Sequence, residues 1–294
     1  MDLSAHRHLV DCEWLQDNLE QPDLRIVECT SLLPNYFEES ASEELIKESG
    51  FPEWEAGHIP GSAFVDILGE LSNATQKDFM YGICSADEFA AAMSRIGIGD
   101  GVGVVLYDRA MNMWAARVWW LLRHFGFDNA VVLDGGWTAW VAAGYAVSTA
   151  APNYPPATFV PNVRPQLIAD KQRVLAATEN NKSCLINALD PDEFAGRPPQ
   201  RYARSGRIPS SANVPFAVTA DPESQIFATD ETLTSLYRDA GAEQADEVIC
   251  YCGGGIAACS TALTPTRLGY DNVAVYDGSM SEWTSDPDLP VASG

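Results

Sequence analysis

The stretch Glu247-Val248-Ile249-Cys250-Tyr251-Cys252-Gly253-Gly254-Gly255-Ile256-Ala257-Ala258-Cys259 decides how the chain is read. Val248 to Tyr251 is a short apolar run with β-branched residues, the pattern of a buried strand. It ends at Cys252, three glycines follow, and an alanine-rich segment then predicts a helix. A strand that turns through glycines into a helix N-terminus is an anion cradle, because amides face inward and the helix dipole adds partial positive charge. A cysteine at the mouth of such a loop is a candidate nucleophile, since those donors favour its thiolate. The competing reading is a buried structural cysteine ahead of a glycine-rich turn. The glycine run favours the reactive thiol.

Working outward, the stretch has a partner in the first half of the chain. Val104-Val105-Leu106-Tyr107-Asp108 returns as Val248-Ile249-Cys250-Tyr251-Cys252. Gly57-His58-Ile59-Pro60-Gly61-Ser62-Ala63 returns as Gly206-Arg207-Ile208-Pro209-Ser210-Ser211-Ala212, and Phe125-Gly126-Phe127-Asp128-Asn129 returns as Leu268-Gly269-Tyr270-Asp271-Asn272. The offsets are 144, 149 and 143 residues, in one order, so the chain is a duplicated domain rather than a solenoid. Between the copies, Thr149 to Pro161 is rich in proline and polar residues, a linker composition. The boundary is expected near residue 152, giving domains 1–151 and 152–294.

Strand-like and helical segments alternate in each copy. In the first, strands are expected at Leu24–Cys29, Ala63–Val65, Val102–Tyr107 and Ala130–Leu133, and helices at Glu13–Leu19, Ala86–Arg95, Trp114–His124 and Trp137–Ala143. This alternation predicts an α/β fold with a parallel sheet flanked by helices in each domain. The segment Met113 to Phe125 reads as a buried crossover helix with its aromatic residues in the core. Ser31 to Phe51 is acidic and irregular and reads as a surface excursion. In the second copy a strand is expected at Ser183–Ala188.

At 294 residues and 46% apolar content the chain can bury two cores. No apolar run reaches membrane-spanning length, and Met1 to Arg7 has no signal-peptide pattern. Seven cysteines without framework spacing fit a reducing compartment, so the expected location is cytoplasmic. A net charge of −23 disfavours nucleic acid and anionic membranes as partners. An anionic substrate would therefore depend on donors close to the site, because charge is screened over about 8 Å.

Tyr251-Cys252-Gly253-Gly254-Gly255-Ile256-Ala257-Ala258, followed by Tyr276-Asp277-Gly278-Ser279-Met280-Ser281-Glu282-Trp283, resembles the catalytic domain of the tandem rhodanese-type sulfurtransferases. The duplication extends the resemblance over nearly the whole chain. It implies two tandem rhodanese-like domains and double displacement without a cofactor. Cys252 would take a sulfane sulfur from a small anionic donor as a persulfide and pass it to a thiol or cyanide. It also implies an inactive first domain, where Asp108 stands in place of Cys252 and Arg109 to Met113 offers no glycines to present amides. The amides of Gly253, Gly254, Gly255, Ile256 and Ala257 would then stabilise the sulfur anion.

The donor is less defined. Thiosulfate-type relatives carry basic residues in this loop, and Gly253-Gly254 has none. Mercaptopyruvate-type relatives carry a hydroxyl near its end, where this chain has Ala257-Ala258. With no hydroxyl relay, thiosulfate is the expected donor and 3-mercaptopyruvate the alternative. The family's Asp-x-Arg after the domain's first strand is here Asn187-Ala188-Leu189. Arginines 197, 201, 204 and 207 lie within eleven residues, and Arg204 and Arg207 are the first candidates to replace that contact.

Other chemistry is weaker. Cys250 and Cys259 are expected in the core, Cys-x-Cys without histidines is a poor zinc site, and no metal is expected. His58 is matched by Arg207, which argues against a base. Ala258 stands where a phosphatase loop would close on arginine. A reading of another class is a persulfide relay module fed by a partner desulfurase.

Overall fold

The computed structural model describes residues 1–34, 46–76, 79 and 81–294. In the first half the strands are β1 (Leu9–Val10), β2 (Leu24–Glu28), β3 (Ser31–Leu32), β4 (Glu48–Ser49), β5 (Ser62–Phe64), β6 (Gly103–Tyr107) and β7 (Ala130–Leu133). Its helices are α1 (Cys12–Asn18), α2 (Phe51–Ala56), α3 (Ala86–Arg95), α4 (Met113–His124) and α5 (Gly136–Ala142). The second half has β8 (Ile168–Ala169), β9 (Ser183–Asn187), β10 (Ala212–Asn213), β11 (Glu247–Tyr251) and β12 (Val273–Tyr276). Its helices are α6 (Lys171–Thr178), α7 (Pro191–Phe194), α8 (Asp230–Asp239), α9 (Ala257–Arg267) and α10 (Ser279–Ser285).

Each half builds a five-stranded parallel sheet, ordered β1-β7-β6-β2-β5 in the first and β8-β12-β11-β9-β10 in the second. The two orders correspond strand for strand, as the duplication requires. The central strands β6 and β11 are buried on both faces because helices cover both sides, which is why they read as continuous apolar runs. The repeated Ile-Pro-x-Ser motif has one job in both copies. Tyr107 Oη accepts from the Ile59 amide at 3.2 Å and bonds Ser62 Oγ at 2.9 Å, while Tyr251 Oη accepts from Ile208 at 3.2 Å and bonds Ser211 Oγ at 2.7 Å.

The expected strands and helices of the first copy are present, with bounds shifted by a residue or two. The short edge strands β1 and β8 are too brief to register as a pattern. Of the acidic excursion, residues 35–45 lie outside the described residues, and its flanks pair as the antiparallel β3–β4 ladder. The proline-rich connection lies as a strap on the first half. The Ala157 amide donates to Ser94 O at 3.1 Å, Phe159 is buried, and Arg25 lies 4.5 Å from the Tyr154 ring centre.

The helices that follow the two equivalent loops, α4 and α9, pack on each other across the halves and join both cores. Pro265 sits inside α9 and cannot donate to the Thr261 carbonyl one turn back. The buried Tyr237 hydroxyl donates to that carbonyl instead, at 2.5 Å. Among the described residues no helix is long and apolar enough to cross a membrane, and no cluster of His, Cys, Asp or Glu suits a metal ion.

Candidate active site

Cys252 follows β11 at the carboxyl end of the second sheet, where ligands of open α/β folds bind. Its residue is 3% exposed, so the thiol sits at the base of the loop. The loop is clamped to the start of α10. The Cys252 amide donates to Ser279 Oγ at 3.0 Å, and Ser279 Oγ donates to Tyr276 O at 2.7 Å. Cys252 O accepts from the Met280 amide at 3.0 Å, and Gly253 O accepts from the Ser281 amide and hydroxyl at 2.9 and 2.6 Å. These bonds face the carbonyls toward α10. Among the described residues, none of the amides of Gly253, Gly254, Gly255, Ile256, Ala257 and Ala258 donates to a backbone or side-chain acceptor. Six donors thus run through the loop into the first turn of α9, two more than the four that a helix N-terminus leaves unpaired.

Gly255 is required by the turn. Its φ is +82°, and a Cβ there would stand 2.7 Å from Asp277 O. Gly253 is required by a neighbour, since a Cβ there would stand 2.1 Å from Tyr202 Oη.

The other half reaches into this loop. Arg117, buried on α4, donates through Nη1 to Asp277 Oδ1 at 2.5 Å and Gly255 O at 3.4 Å, and through Nη2 to Tyr81 O at 2.7 Å. Asp277 Oδ2 accepts from the Ile83 amide at 3.2 Å. A cleft of about 450 Å³ opens beside the loop, lined by Lys47, Gln76 and Tyr81 from the first half and Arg201, Tyr202 and Ser281 from the second.

The duplicate loop explains itself. Asp108 Oδ1 accepts from the Ala110 and Asn112 amides at 2.7 and 3.0 Å, and Oδ2 from Trp114 and Ala115 at 2.8 Å each. The expectation that this loop presents no amides is therefore corrected. Left-handed Met111 and Asn112 (φ 55° and 62°) turn it without glycine, and its amides close on the protein's own carboxylate. Burial pushes the Asp108 carboxyl up while the four amides oppose that.

The arginine expectation also changes. Arg204 donates to the carbonyls of Thr284, Leu289, Trp283 and Asp286 at 2.5–3.1 Å, tying down the end of α10. Arg207 stacks 4.6 Å from the Phe194 ring centre and donates to Gly294 O at 3.0 Å. Neither lines the cleft. Arg201 does, in an ion pair with Glu193 at 3.2 Å. Sequence reasoning missed Arg117, Tyr81 and Lys47. The signal for Arg117 was a lone charge in the apolar run Met113 to Leu122. Cys250 and Cys259 are fully buried, and burial pushes the Cys259 thiol up to about 12.

Comparison with known proteins agrees with this architecture. The rhodanese-like domain family matches residues 11–143 and 176–286. The thiosulfate/3-mercaptopyruvate sulfurtransferase 2 of Arabidopsis thaliana is 32% identical over 98% of this chain and 87% of its own length. The sulfur carrier protein TtuD of Thermus thermophilus is 28% identical over 97% of this chain and 96% of its own. The crystal structure of the 3-mercaptopyruvate sulfurtransferase of Escherichia coli superposes with a TM-score of 0.79 at 25% identity, covering 92% of this chain and 98% of that one. The chain belongs to the rhodanese family of sulfurtransferase enzymes, with two rhodanese-like domains in tandem.

Proposed function

We propose that Cys252 is the sulfur-carrying nucleophile of a double displacement. Its thiolate attacks the outer sulfur of a small anionic donor, the donor's bond to that sulfur breaks, and a Cys252 persulfide results. A thiol or cyanide then takes the sulfur and restores the thiolate. The observation that carries this reading is that, among the described residues, the six amides from Gly253 to Ala258 have no acceptor, in the loop that opens with the buried Cys252. Donors fixed in a water-poor site stabilise the thiolate and persulfide anions without rearranging. Asp108 supports the reading from the other copy, since there the same loop position holds an anion.

Lys47 and Arg201 line the cleft and supply the positive charge that meets the donor's anionic end. The loop itself favours thiosulfate, because cleavage to sulfite needs no proton and Ala257-Ala258 offers no hydroxyl. The 3% exposure of Cys252 favours a small donor over a docked desulfurase. The test is intact-protein mass after exposure to thiosulfate or 3-mercaptopyruvate, beside Cys252→Ser. Gain of one sulfur on the wild type alone is expected. No gain with either donor, but uptake from a desulfurase, would replace this reading with a relay module.

A further inference from the structure

One residue lining the cleft carries a hydroxyl with no role in the reading above. Tyr81 is 9% exposed, and its Oη is screened from solvent with no hydrogen-bond partner among the described residues. A buried phenol normally finds an acceptor, and leaving it without one is costly. Its backbone is held firmly. The Arg117 guanidinium donates to Tyr81 O at 2.7 Å, the ring meets Trp114 edge-on at 5.8 Å, and Lys47 Nζ lies 5.6 Å from the ring centre. The same Arg117 holds Gly255 O, so Tyr81 and the Cys252 loop share one anchor.

The duplication indicates where this side chain reaches. Tyr81 (φ 60°) is matched by Gln225 (φ 61°), each ahead of an isolated bridge, Ser72 to Ile83 in one half and Ala220 to Phe227 in the other. Gln225 extends over the opposite loop, where its Oε1 accepts from the Met111 amide at 3.1 Å and its O accepts from Asn112 Nδ2 at 2.8 Å. Met111 corresponds to Gly255. Tyr81 lines the cleft at the position equivalent to Gln225, which in the other half puts a hydrogen-bonding group over the matching loop. Burial and the neighbouring Cys252 charge both push the Tyr81 phenol up, which keeps it a donor and not a base. Ser260, the nearest hydroxyl after the loop on α9, is fully buried and does not line the cleft.

We infer that Tyr81, contributed by the half without a nucleophile, is the proton donor that extends this enzyme to donors whose sulfur is bound to carbon. The inference rests on Cys252 being the nucleophile. With an α-keto thiol such as 3-mercaptopyruvate, the Cys252 thiolate attacks the thiol sulfur and a sulfur–sulfur bond forms. The carbon–sulfur bond breaks and its electron pair passes to the enolate of the departing keto acid. Tyr81 Oη gives that enolate its proton. The phenolate then recovers a proton from the terminal S–H, leaving the persulfide anion facing the loop amides. No oxidant or reductant is needed. Thiosulfate requires none of this, because sulfite leaves as a stable anion.

The experiment is single-turnover persulfide formation, followed by intact mass, in wild type and Tyr81→Phe with each donor. General acid catalysis contributes about 100-fold or more, so the variant is expected to lose at least ~100-fold with 3-mercaptopyruvate. Its loss with thiosulfate is expected to be at least tenfold smaller, and sulfur uptake from thiosulfate also reports that the variant is folded. Equal losses with both donors would overturn the proposal, as would no loss with either. Wild type that takes sulfur from thiosulfate but not from 3-mercaptopyruvate would overturn it while leaving Cys252 as nucleophile. Wild type that takes sulfur from neither would remove the Cys252 reading, and this proposal with it.

Discussion

Arg117 Nη1 lies 2.5 Å from Asp277 Oδ1, an ion pair between a helix of one half and the end of a strand in the other. Both residues are almost wholly buried, and Arg117 also holds the carbonyls of Gly255 and Tyr81. The first domain thus contributes directly to the loop that carries Cys252. Its own position equivalent to Cys252 is a carboxylate, Asp108, but its crossover helix supplies the anchor for the other half's loop.

Arg117→Met removes one partner of this pair and leaves the Asp277 carboxylate buried. The expected cost is about 3–5 kcal/mol of stability, measured by denaturant unfolding. Arg117→Lys keeps the charge but not the planar fork that reaches three oxygens, so it should recover only part of that loss. Persulfide formation should fall in both variants under conditions where each remains folded. Wild-type stability in Arg117→Met would show that the pair contributes nothing net.

Asp108 makes a second prediction. Asp108→Ala strands four amide donors, three of them buried, and at about 1–3 kcal/mol for each buried unpaired group the loss should reach at least about 3 kcal/mol. Asp108→Cys should not create a second active site. The Met111 amide, which would face the new sulfur's loop, is already taken by Gln225 Oε1. The mass gain after thiosulfate treatment should therefore remain one sulfur per chain, and two would contradict it.

The arginines separate binding from scaffolding. Arg204→Ala frees four carbonyls at the end of α10 and should lower stability by about 2 kcal/mol or more, with no selective change in donor KM. Lys47→Ala and Arg201→Ala should raise donor KM severalfold with smaller stability changes. Steady-state kinetics beside thermal melts checks both. A raised KM confined to Arg204→Ala would restore the assignment suggested by its sequence position.

These contrasts explain what the sequence made legible. The loop after β11 was readable because its chemistry is contiguous: strand, cysteine, glycines and helix follow within a dozen residues. The duplication carried the sheet order for the same reason, since Tyr107 and Tyr251 sit in matching local motifs. Arg117, Asp277, Tyr81 and Lys47 meet only because α4 and α9 pack across the halves, a contact between residues far apart in the chain. Arg204 misled because proximity to a repeated motif says nothing about which side of the backbone a guanidinium takes. Four carbonyls at a helix end claimed it.

The glycines of the loop should respond differently to the same substitution. Gly255→Ala meets both a left-handed φ of +82° and a backbone oxygen 2.7 Å away, so the loop must shift and sulfur uptake should be abolished. Gly253→Ala meets only the tip of the Tyr202 ring, its hydroxyl and two ring carbons, the far end of a side chain rather than backbone. It should fold normally and alter donor KM by displacing Tyr202. Comparable uptake by the two variants would mean that the Gly255 turn is not what holds the amides in place.

Acid stability offers a last test, away from the site. His8 stands edge-on to Trp119 at 5.0 Å, and burial, reinforced by the Arg123 charge, lowers its pKa to about 4. In the unfolded chain an imidazole binds its proton near pH 6.5. Between about pH 6.5 and 4 the unfolded state therefore holds the extra proton, and stability falls as pH drops through that window. Burial also lowers the His124 pKa, which adds in the same direction. The residue at position 8 has φ 71°, so asparagine, which tolerates that region, is the suitable replacement. His8→Asn should lose less Tm than wild type between pH 7 and pH 5, while its Tm at pH 7 changes little. An equal loss in both would mean that acid sensitivity comes from groups other than His8.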